Sequence, residues 1–204
     1  MNNQEQCVYI VDDDAAVRDS LGLLLGLNGY RTLPFSNADD FLKVCAPEWS
    51  GCLLLDIRMP GTDGLALQAA LHERGIALPI IFMTAHGDVP TVRTALKAGA
   101  VDYLEKPVDP DAMLAAVRSA MDVDQAQRQK QARAGQSEQR MRTLTPRERE
   151  VMTLVVEGQP NKAIAHRLKI ALRTVEIHRA RVMEKMEARN LSELVRMAIR
   201  LGET

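Results

Sequence analysis

The run Cys52-Leu53-Leu54-Leu55-Asp56 decides the fold of the first half of this 204-residue chain. An unbroken apolar run of this length is typical of a strand that is buried on both faces of a parallel sheet. Four similar runs predict strands at residues 7–11, 30–35, 80–84 and 101–105. Segments of helical period separate these runs, so the pattern predicts five βα units: an α/β domain with a five-stranded, parallel, doubly wound sheet.

Polar side chains stand at the carboxyl ends of these predicted strands. Asp12 and Asp13 follow the first strand, Asp56 ends the third, Thr84 ends the fourth, and Lys106 follows the fifth. The carboxyl ends of parallel strands meet at one sheet edge, where ligands bind between the first and third strands. Crowded carboxylates need a neutralising cation, and their hard oxygens favour Mg²⁺. The sequence therefore predicts a magnesium site.

A carboxylate-bound metal can also hold a phosphoryl oxygen, while Lys106 and Thr84 offer a positive charge and a hydroxyl for the remaining oxygens. Asp56 is then the expected nucleophile. Each residue also has an ordinary interpretation when it is taken alone: Asp12 and Asp13 as helix caps, Thr84 as a turn residue and Lys106 as solvated surface. The convergence of all four positions on one edge favours the phosphoryl site.

Charge and composition divide the chain into two parts. Residues 1–121 carry 9 Lys or Arg against 16 Asp or Glu, whereas residues 122–204 carry 17 against 11. The acidic part suits a cation-dependent site and the basic part suits a polyanion such as nucleic acid. The start of the chain lacks signal-peptide character and no apolar run is long enough to span a bilayer, so we expect a cytoplasmic protein with no membrane contact.

Residues 122–141 are rich in glutamine, alanine and arginine but poor in large apolar residues. They predict a linker, which could extend the fifth helix, although Gly135 would weaken it. Beyond them, capping and periodicity predict four helices at residues 145–157, 161–168, 173–186 and 190–201. The expected second domain, residues 142–204, is therefore an all-α, four-helix unit that follows the α/β domain at residues 1–121.

The helix predicted at 173–186 has an apolar stripe of Val175, Val182 and Met186, with His178 or Arg179 between them, that should face its own core. Its other face suits the major groove of DNA, where Glu176 can accept from cytosine while Ile177 and Ala180 can contact thymine methyls. The predicted phosphate contacts are Lys162, Arg173, Thr174, Arg179 and Arg181. The alternative is that this face is an ordinary solvated surface, but that would not explain why an apolar residue, Ile177, is exposed on it.

Residues 1–121 resemble a CheY-type response-regulator receiver. The matching stretches are Ile10-Val11-Asp12-Asp13-Asp14, Leu55-Asp56-Ile57-Arg58-Met59-Pro60-Gly61 with Gly64, Thr84-Ala85-His86-Gly87, Lys97-Ala98-Gly99-Ala100 and Glu105-Lys106-Pro107.

The resemblance implies that Asp56 is the phosphoacceptor, and that Mg²⁺ is held by Asp13, Asp56 and the main-chain carbonyl of Arg58, with Asp12 acting through water. It further implies a cis bond between Lys106 and Pro107. In the implied switch, Thr84 moves toward the phosphoryl group while Tyr103 rotates inward.

Residues 142–204 resemble the LuxR-type helix-turn-helix of the FixJ/NarL regulators. The match lies in Leu144-Thr145-Pro146-Arg147-Glu148, Asn161-Lys162-Ala163-Ile164-Ala165 and Arg173-Thr174-Val175-Glu176-Ile177-His178-Arg179. Glu176 departs from the NarL branch, where this position is often basic, so that branch does not supply a DNA half-site.

Together the resemblances imply a two-component response regulator that a sensor histidine kinase phosphorylates on Asp56. Phosphorylation would promote dimerisation and binding to promoter DNA, with RNA polymerase as a further partner. Two other hypotheses stay open: a phosphoryl-transfer enzyme or phosphate sink, and a receiver that controls DNA binding without phosphate. The basic half has no nucleophile-and-base arrangement for a separate reaction, so we expect no enzyme beyond self-catalysed phosphoryl acceptance.

Overall fold

The structure, a computed structural model, describes residues 6–84 and 89–202, and at residues 89 and 200 only the backbone. Its contacts divide the chain between Gln127 and Arg128, and each part is described separately.

The first part alternates strands and helices. In order they are β1 Cys7–Val11, α1 Ala15–Leu27, β2 Arg31–Phe35, α2 Ala38–Val44, β3 Gly51–Asp56, α3 Gly64–Glu73, β4 Ile80–Thr84, α4 Val89–Lys97, β5 Asp102–Glu105 and the start of α5 Pro110–Arg142. The strands form one parallel sheet in the order β2-β1-β3-β4-β5. The predicted α/β doubly wound fold is confirmed, and the strand bounds differ from the sequence prediction by one residue at β2, β3 and β5.

The sheet has one apolar core on each face. Odd-numbered residues of β3, such as Leu53, pack in one core, whereas Cys52 and Leu54 pack in the other. Cys7 belongs with the first core, so Cys7 and Cys52 project from opposite faces although their strands are neighbours. A redox contact between these two thiols, which the start of both strands suggests, is therefore excluded by the alternation of side chains along strands.

Strand β2 forms one edge of the sheet, and its residues are mostly exposed. Pro34 lies in the middle of β2, at a position that pairs with Ile10 of β1. Proline lacks a main-chain N–H and is accepted in a strand only where no further strand must be bonded. Pro34 therefore fits the edge position.

Helix α5 continues through the segment predicted as a linker, including Gly135. The buried Asp124 carboxylate accepts hydrogen bonds from Ser50 Oγ at 2.8 Å and from the main-chain N–H of Gly51 at 3.0 Å. At the other end of the segment, Met141 is buried in the core of the second part. The ends of residues 122–141 thus pack with the parts they adjoin.

The second part contains the end of α5 and four further helices: α6 Pro146–Val156, α7 Asn161–Leu168, α8 Leu172–Lys185 and α9 Leu191–Arg200. The four predicted helices are confirmed within a few residues at their ends. Thr145 and Glu148 form the expected capping box of α6, and Asn190 caps α9. No helix in the described part of the chain is long and apolar enough to cross a membrane.

Glu148 joins the start of α6 to the end of α8. Its carboxylate is 2 % exposed and accepts a hydrogen bond from Lys185 Nζ at 2.6 Å. The Lys185 hydrogen bond, together with the main-chain N–H of Thr145, lowers the pKa of Glu148 to about 2. A folded-state pKa below the unfolded one stabilises the fold above pH ~4.5, and this stabilisation is lost as the pH falls toward 2.

Glu148→Gln is expected to lower the free energy of unfolding of the second part by about 2 kcal/mol at pH 7, because it leaves Lys185 without its buried partner. The difference from the unsubstituted protein should shrink below pH 4. Residues 128–204 contain no Trp, Tyr or Phe, so circular dichroism at 222 nm during urea unfolding is the suitable measurement. Glu150→Gln, at an exposed ion pair with Arg147, is the control and should change little.

Candidate metal centre and nucleic-acid interface

Three carboxylates meet at the carboxyl edge of the sheet because β1 and β3 are adjacent. One oxygen from each of Asp12, Asp13 and Asp56 lies within 4.8 Å of the others. Asp12 and Asp56 are buried, whereas Asp13 is exposed. The structure thus brings these three residues together, as the sequence predicts. Their carboxylate oxygens are the kind of ligand that a Mg²⁺ ion requires.

Lys106 enters this cluster from the end of β5. Its Nζ lies 2.7 Å from Asp12 Oδ2 and 3.1 Å from Asp56 Oδ2. Its main-chain N–H donates to the carbonyl of Thr84 at 2.8 Å, which joins the ends of β5 and β4. The Lys106-Pro107 bond is cis, as the resemblance implies. One ammonium group therefore bridges two of the three carboxylates.

Burial is the largest single influence on the pKa values of Asp56 and Lys106 in this cluster. Burial raises the pKa of Asp56 above its ordinary value, and the charge and hydrogen bond of Lys106 offset only part of this rise. Burial also acts to lower the pKa of Lys106, but the hydrogen bond from its ammonium to Asp12 and the charges of both carboxylates outweigh it, so the pKa is raised. Lys106 therefore stays protonated beside the carboxylates of Asp12 and Asp56.

Main-chain contacts hold the cluster in shape. Asp12 Oδ1 accepts from the N–H of Asp14 at 2.9 Å, and Arg18 of α1 donates to the carbonyl of Asp12 at 2.7 Å. A Cβ atom on Gly64 would lie 2.4 Å from the carbonyl oxygen of Asp56, so only glycine lets α3 begin this close to β3. Sequence reasoning missed Arg18, whose only signal was a basic residue in the helix after the aspartates.

The remaining residues of the predicted site surround the cluster. Thr84 is buried at the end of β4. Arg58 is exposed and lines a cavity of about 610 Å³ that Asp13 also lines. Tyr103 of β5 is 45 % exposed. Residues 85–88, which complete the motif that Thr84 begins, lie outside the described residues.

The second candidate site is the surface of α8 and the start of α7. Six of the predicted DNA-contacting residues are exposed there: Lys162, Arg173, Glu176, Ile177, Ala180 and Arg181. Ile177 is 42 % exposed, although Val175, Val182 and Met186 on the other side of α8 are buried. An apolar residue among charged ones on an open helix face is the composition expected of a helix that reads base edges.

Two predicted contacts have a different setting. Thr174 and Arg179 are half-buried. Arg179 donates a hydrogen bond to Asn161 Oδ1 at 3.0 Å, which joins α8 to the first residue of α7. On the other side, Arg147 of α6 donates to the carbonyl of Leu168 at the end of α7 at 2.6 Å. Sequence reasoning missed both arginine contacts: Arg179 links α7 and α8, the two helices of the helix-turn-helix, and Arg147 links α6 to α7.

Comparison with known proteins assigns both parts. Residues 8–118 match the family "Response regulator receiver domain", and residues 142–198 match "Bacterial regulatory proteins, luxR family". The chain is 44 % identical over 195 residues to the transcriptional regulatory protein FixJ of Bradyrhizobium diazoefficiens, covering 96 % of this chain and 95 % of that protein. It is 39 % identical over 204 residues, all of this chain and 93 % of the relative, to the response regulator protein TmoT of Ectopseudomonas mendocina.

Two solved structures resemble the whole chain. The response regulator StyR has a TM-score of 0.85 at 40 % identity, covering 96 % of this chain and 99 % of that one. Full-length FixJ from B. japonicum has a TM-score of 0.60 at 42 % identity, covering 98 % of both chains. The chain therefore belongs to the FixJ-type response regulators, transcriptional regulators in which a receiver domain precedes a LuxR-type DNA-binding domain.

Proposed function

We propose that Asp56 is the phosphoacceptor and that a sensor histidine kinase is the donor. The observation that carries this proposal is the bridging of Asp12 and Asp56 by Lys106 within a cluster of three carboxylates. In the reaction, an Asp56 carboxylate oxygen attacks phosphorus, so that an O–P bond forms as the N–P bond to the kinase histidine breaks. The electron pair of that bond returns to the imidazole nitrogen.

The metal site consists of Asp12, Asp13, Asp56 and the main-chain carbonyl of Arg58. Bound Mg²⁺ would neutralise the charge that the phosphoryl oxygens bring to the site. Asp56 supplies the nucleophilic oxygen, and its burial limits access by water. Lys106, which is free to exchange a carboxylate partner for a phosphoryl oxygen, and Thr84, whose hydroxyl can donate, stabilise the remaining oxygens.

The signal passes from Thr84 to Tyr103 and then to the receiver surface. Movement of Thr84 toward the phosphoryl group leaves room for the exposed Tyr103 ring to turn inward. The surface of α4, β5 and α5 is then the dimer interface, which is supported by its exposed apolar residues Leu96 and Tyr103. A two-fold pair of receivers presents two DNA-binding domains to a two-fold promoter site.

The output is binding and not a second reaction. Among the described residues, the one group of three metal-ligating side chains is that of Asp12, Asp13 and Asp56 in the receiver. We propose that the chain divides into a receiver at residues 1–121, a connecting segment at 122–141 and a DNA-binding domain at 142–204. The matched ranges 8–118 and 142–198 support this division.

The site of action is the cytoplasm, and RNA polymerase is the further partner at the promoter.

Capture of sheared genomic DNA, with and without acetyl phosphate and Mg²⁺, tests this function. We expect the phosphodonor to concentrate a small set of fragments that share a two-fold sequence. Equal capture of the same fragments in both conditions would show that the receiver controls DNA binding without phosphate.

Arg181→Ala is expected to weaken binding to a random duplex and to reduce the slope of log affinity against log salt by about 0.9, the value for one lost phosphate contact. The side chain is exposed on α8, so its removal should leave the fold intact. The measurement is fluorescence anisotropy with a labelled duplex over a series of salt concentrations. Arg118→Ala, an exposed arginine in the receiver, should leave the slope unchanged, and an unchanged slope in Arg181→Ala would remove Arg181 from the interface.

A further inference from the structure

Gln68 of α3 holds the carboxyl end of α4. Its side chain is buried, and its Nε2 amide donates to the carbonyl of Ala95 at 3.2 Å and to the carbonyl of Ala98 at 3.3 Å. The last carbonyls of a helix have no partner within that helix. A primary amide has two N–H donors, so a single side chain can satisfy both carbonyls.

The apolar anchoring of α4 is small. Val92 and Ala95 are its buried side chains among those the structure describes, and both are short. Helix α4 ends at Lys97, Gly99 beyond it has a φ of +95°, and the N–H of Ala100 donates to the Ala95 carbonyl at 3.1 Å. The two hydrogen bonds of the Gln68 amide are therefore a substantial part of the contacts that hold this end of α4 against α3.

The attached turn carries part of the proposed dimer surface. The two carbonyls that Gln68 contacts lie on either side of Leu96 in the sequence, and the Leu96 side chain is 40 % exposed. Three residues beyond Ala100, β5 carries the exposed Tyr103. The Gln68 hydrogen bonds thus hold the turn of α4 that carries Leu96. They do so in the conformation of the receiver in which the Tyr103 side chain is exposed.

We propose that Gln68 is a positioning residue that holds α4 in the arrangement with Tyr103 exposed and so disfavours receiver dimerisation before phosphorylation. This inference rests on the proposed function of the α4, β5 and α5 surface. A contact that stabilises one of two conformations shifts their ratio by its difference in free energy between them. One hydrogen bond is worth a shift of about fivefold.

Gln68→Met tests the inference because methionine has a similar length but no amide donor. We expect the unphosphorylated variant to dimerise about fivefold more tightly in sedimentation equilibrium, while the affinity with acetyl phosphate and Mg²⁺ stays near that of the unsubstituted protein. The rate at which Asp56 is phosphorylated should be unchanged. Gln68→Asn, whose amide is one methylene too short for the carbonyls, should act in the same direction and covers the case in which Gln68→Met does not fold.

Gln6→Met is the matched control. Gln6 Nε2 also donates to a helix carbonyl, that of Met121 in α5, at 3.0 Å, but Gln6 directly precedes β1, which β3 separates from β4 in the sheet. Its substitution should lower stability without changing the ratio of the two dimerisation constants. The inference is wrong if that ratio is unchanged in Gln68→Met, or if both glutamine variants change it equally.

Hydrogen exchange separates this inference from the proposed function. In the unphosphorylated protein, amides at residues 98–100 should exchange faster in Gln68→Met than in the unsubstituted chain. If the unsubstituted protein does not dimerise with phosphodonor while this exchange still responds, the dimerisation function is wrong and the attachment of α4 stands. Unchanged exchange overturns the role of Gln68.

Discussion

Asp56→Asn yields a protein that folds, takes up no phosphoryl group from acetyl phosphate and stays at its basal dimerisation when Mg²⁺ and phosphodonor are added. The amide oxygen of asparagine is a poor nucleophile, and the substitution also removes one of the three carboxylates that can hold the metal. Phosphate-affinity electrophoresis measures the first effect, and sedimentation equilibrium measures the second.

The fold of this variant should not suffer. The pKa of Asp56 is raised chiefly by burial, which means that the charged carboxylate costs free energy in the folded state relative to the unfolded chain. Replacing a carboxylate by an amide of the same shape removes that penalty, while Lys106 keeps Asp12 as a partner. Thermal unfolding should therefore occur at the same or a higher temperature.

Asp19→Asn, which changes an exposed carboxylate of α1, is the control and should be phosphorylated at the normal rate. Phosphodonor-dependent dimerisation that survives in Asp56→Asn would show that another residue, or no phosphorylation at all, drives pairing. Chelation of Mg²⁺ by EDTA should reproduce the loss of phosphorylation in the unsubstituted protein.

Gly51→Ala is expected to destabilise the receiver by about 4 kcal/mol or more, which would leave much of the protein unfolded. Gly51 has a φ of +123° and would place a Cβ atom 1.9 Å from the carbonyl oxygen of Cys7, within the main chain of the neighbouring strand. A backbone clash of this kind cannot be relieved by side-chain rotation. Any shift of Gly51 would also disturb its hydrogen bond to Asp124.

The single tryptophan, Trp49, lies two residues before Gly51 and stacks on Tyr9 at a centroid distance of 4.5 Å. Its fluorescence during urea unfolding therefore reports the receiver. Gly29→Ala is the matched control, because Gly29 also has a positive φ, +82°, but open space around its Cβ position. It should cost only about 1 kcal/mol. A similar loss in both variants would show that backbone strain, not the Cys7 contact, limits position 51.

The strand-end residues could be predicted because their signal is local. An apolar run such as residues 52–56 specifies both a strand and its end, and the parallel arrangement then brings Asp12, Asp56 and Lys106 together. Their convergence needed no knowledge of individual contacts. The same holds for α6, whose Thr145 and Glu148 are three residues apart and mark the helix start.

Contacts between distant polar residues could not be predicted in this way. Asp124 binds Ser50 and Gly51 from more than 70 residues away, and Arg179 binds Asn161 across the helix turn. Such pairs depend on the register at which a helix packs, which side-chain spacing along the chain does not specify. The carboxylate, amide and guanidinium groups involved are common on surfaces, so their types carry no signal of their burial.

Residues 122–141 form a helix although they contain few large apolar residues, so the number of such residues is a poor guide to helix formation in this segment. Glutamine, alanine and arginine bury little, but all three are good helix formers. Asp124 near one end and Met141 at the other attach the segment to the two cores. Two anchors plus favourable propensity are enough to extend α5 through Gly135, where glycine costs only about 1 kcal/mol.

Pro34 on the edge strand β2 has a consequence for the behaviour of the protein at high concentration. An open strand edge can add a strand from another molecule, and this is a common start of amyloid growth. Pro34 has no main-chain N–H, so the hydrogen-bond ladder that an added strand would need is interrupted there. Leu33, an exposed apolar residue beside it, would otherwise favour the addition. Pro34 thus protects this edge of the sheet from irreversible pairing with a second molecule, whatever reversible contacts the other surfaces of the receiver make.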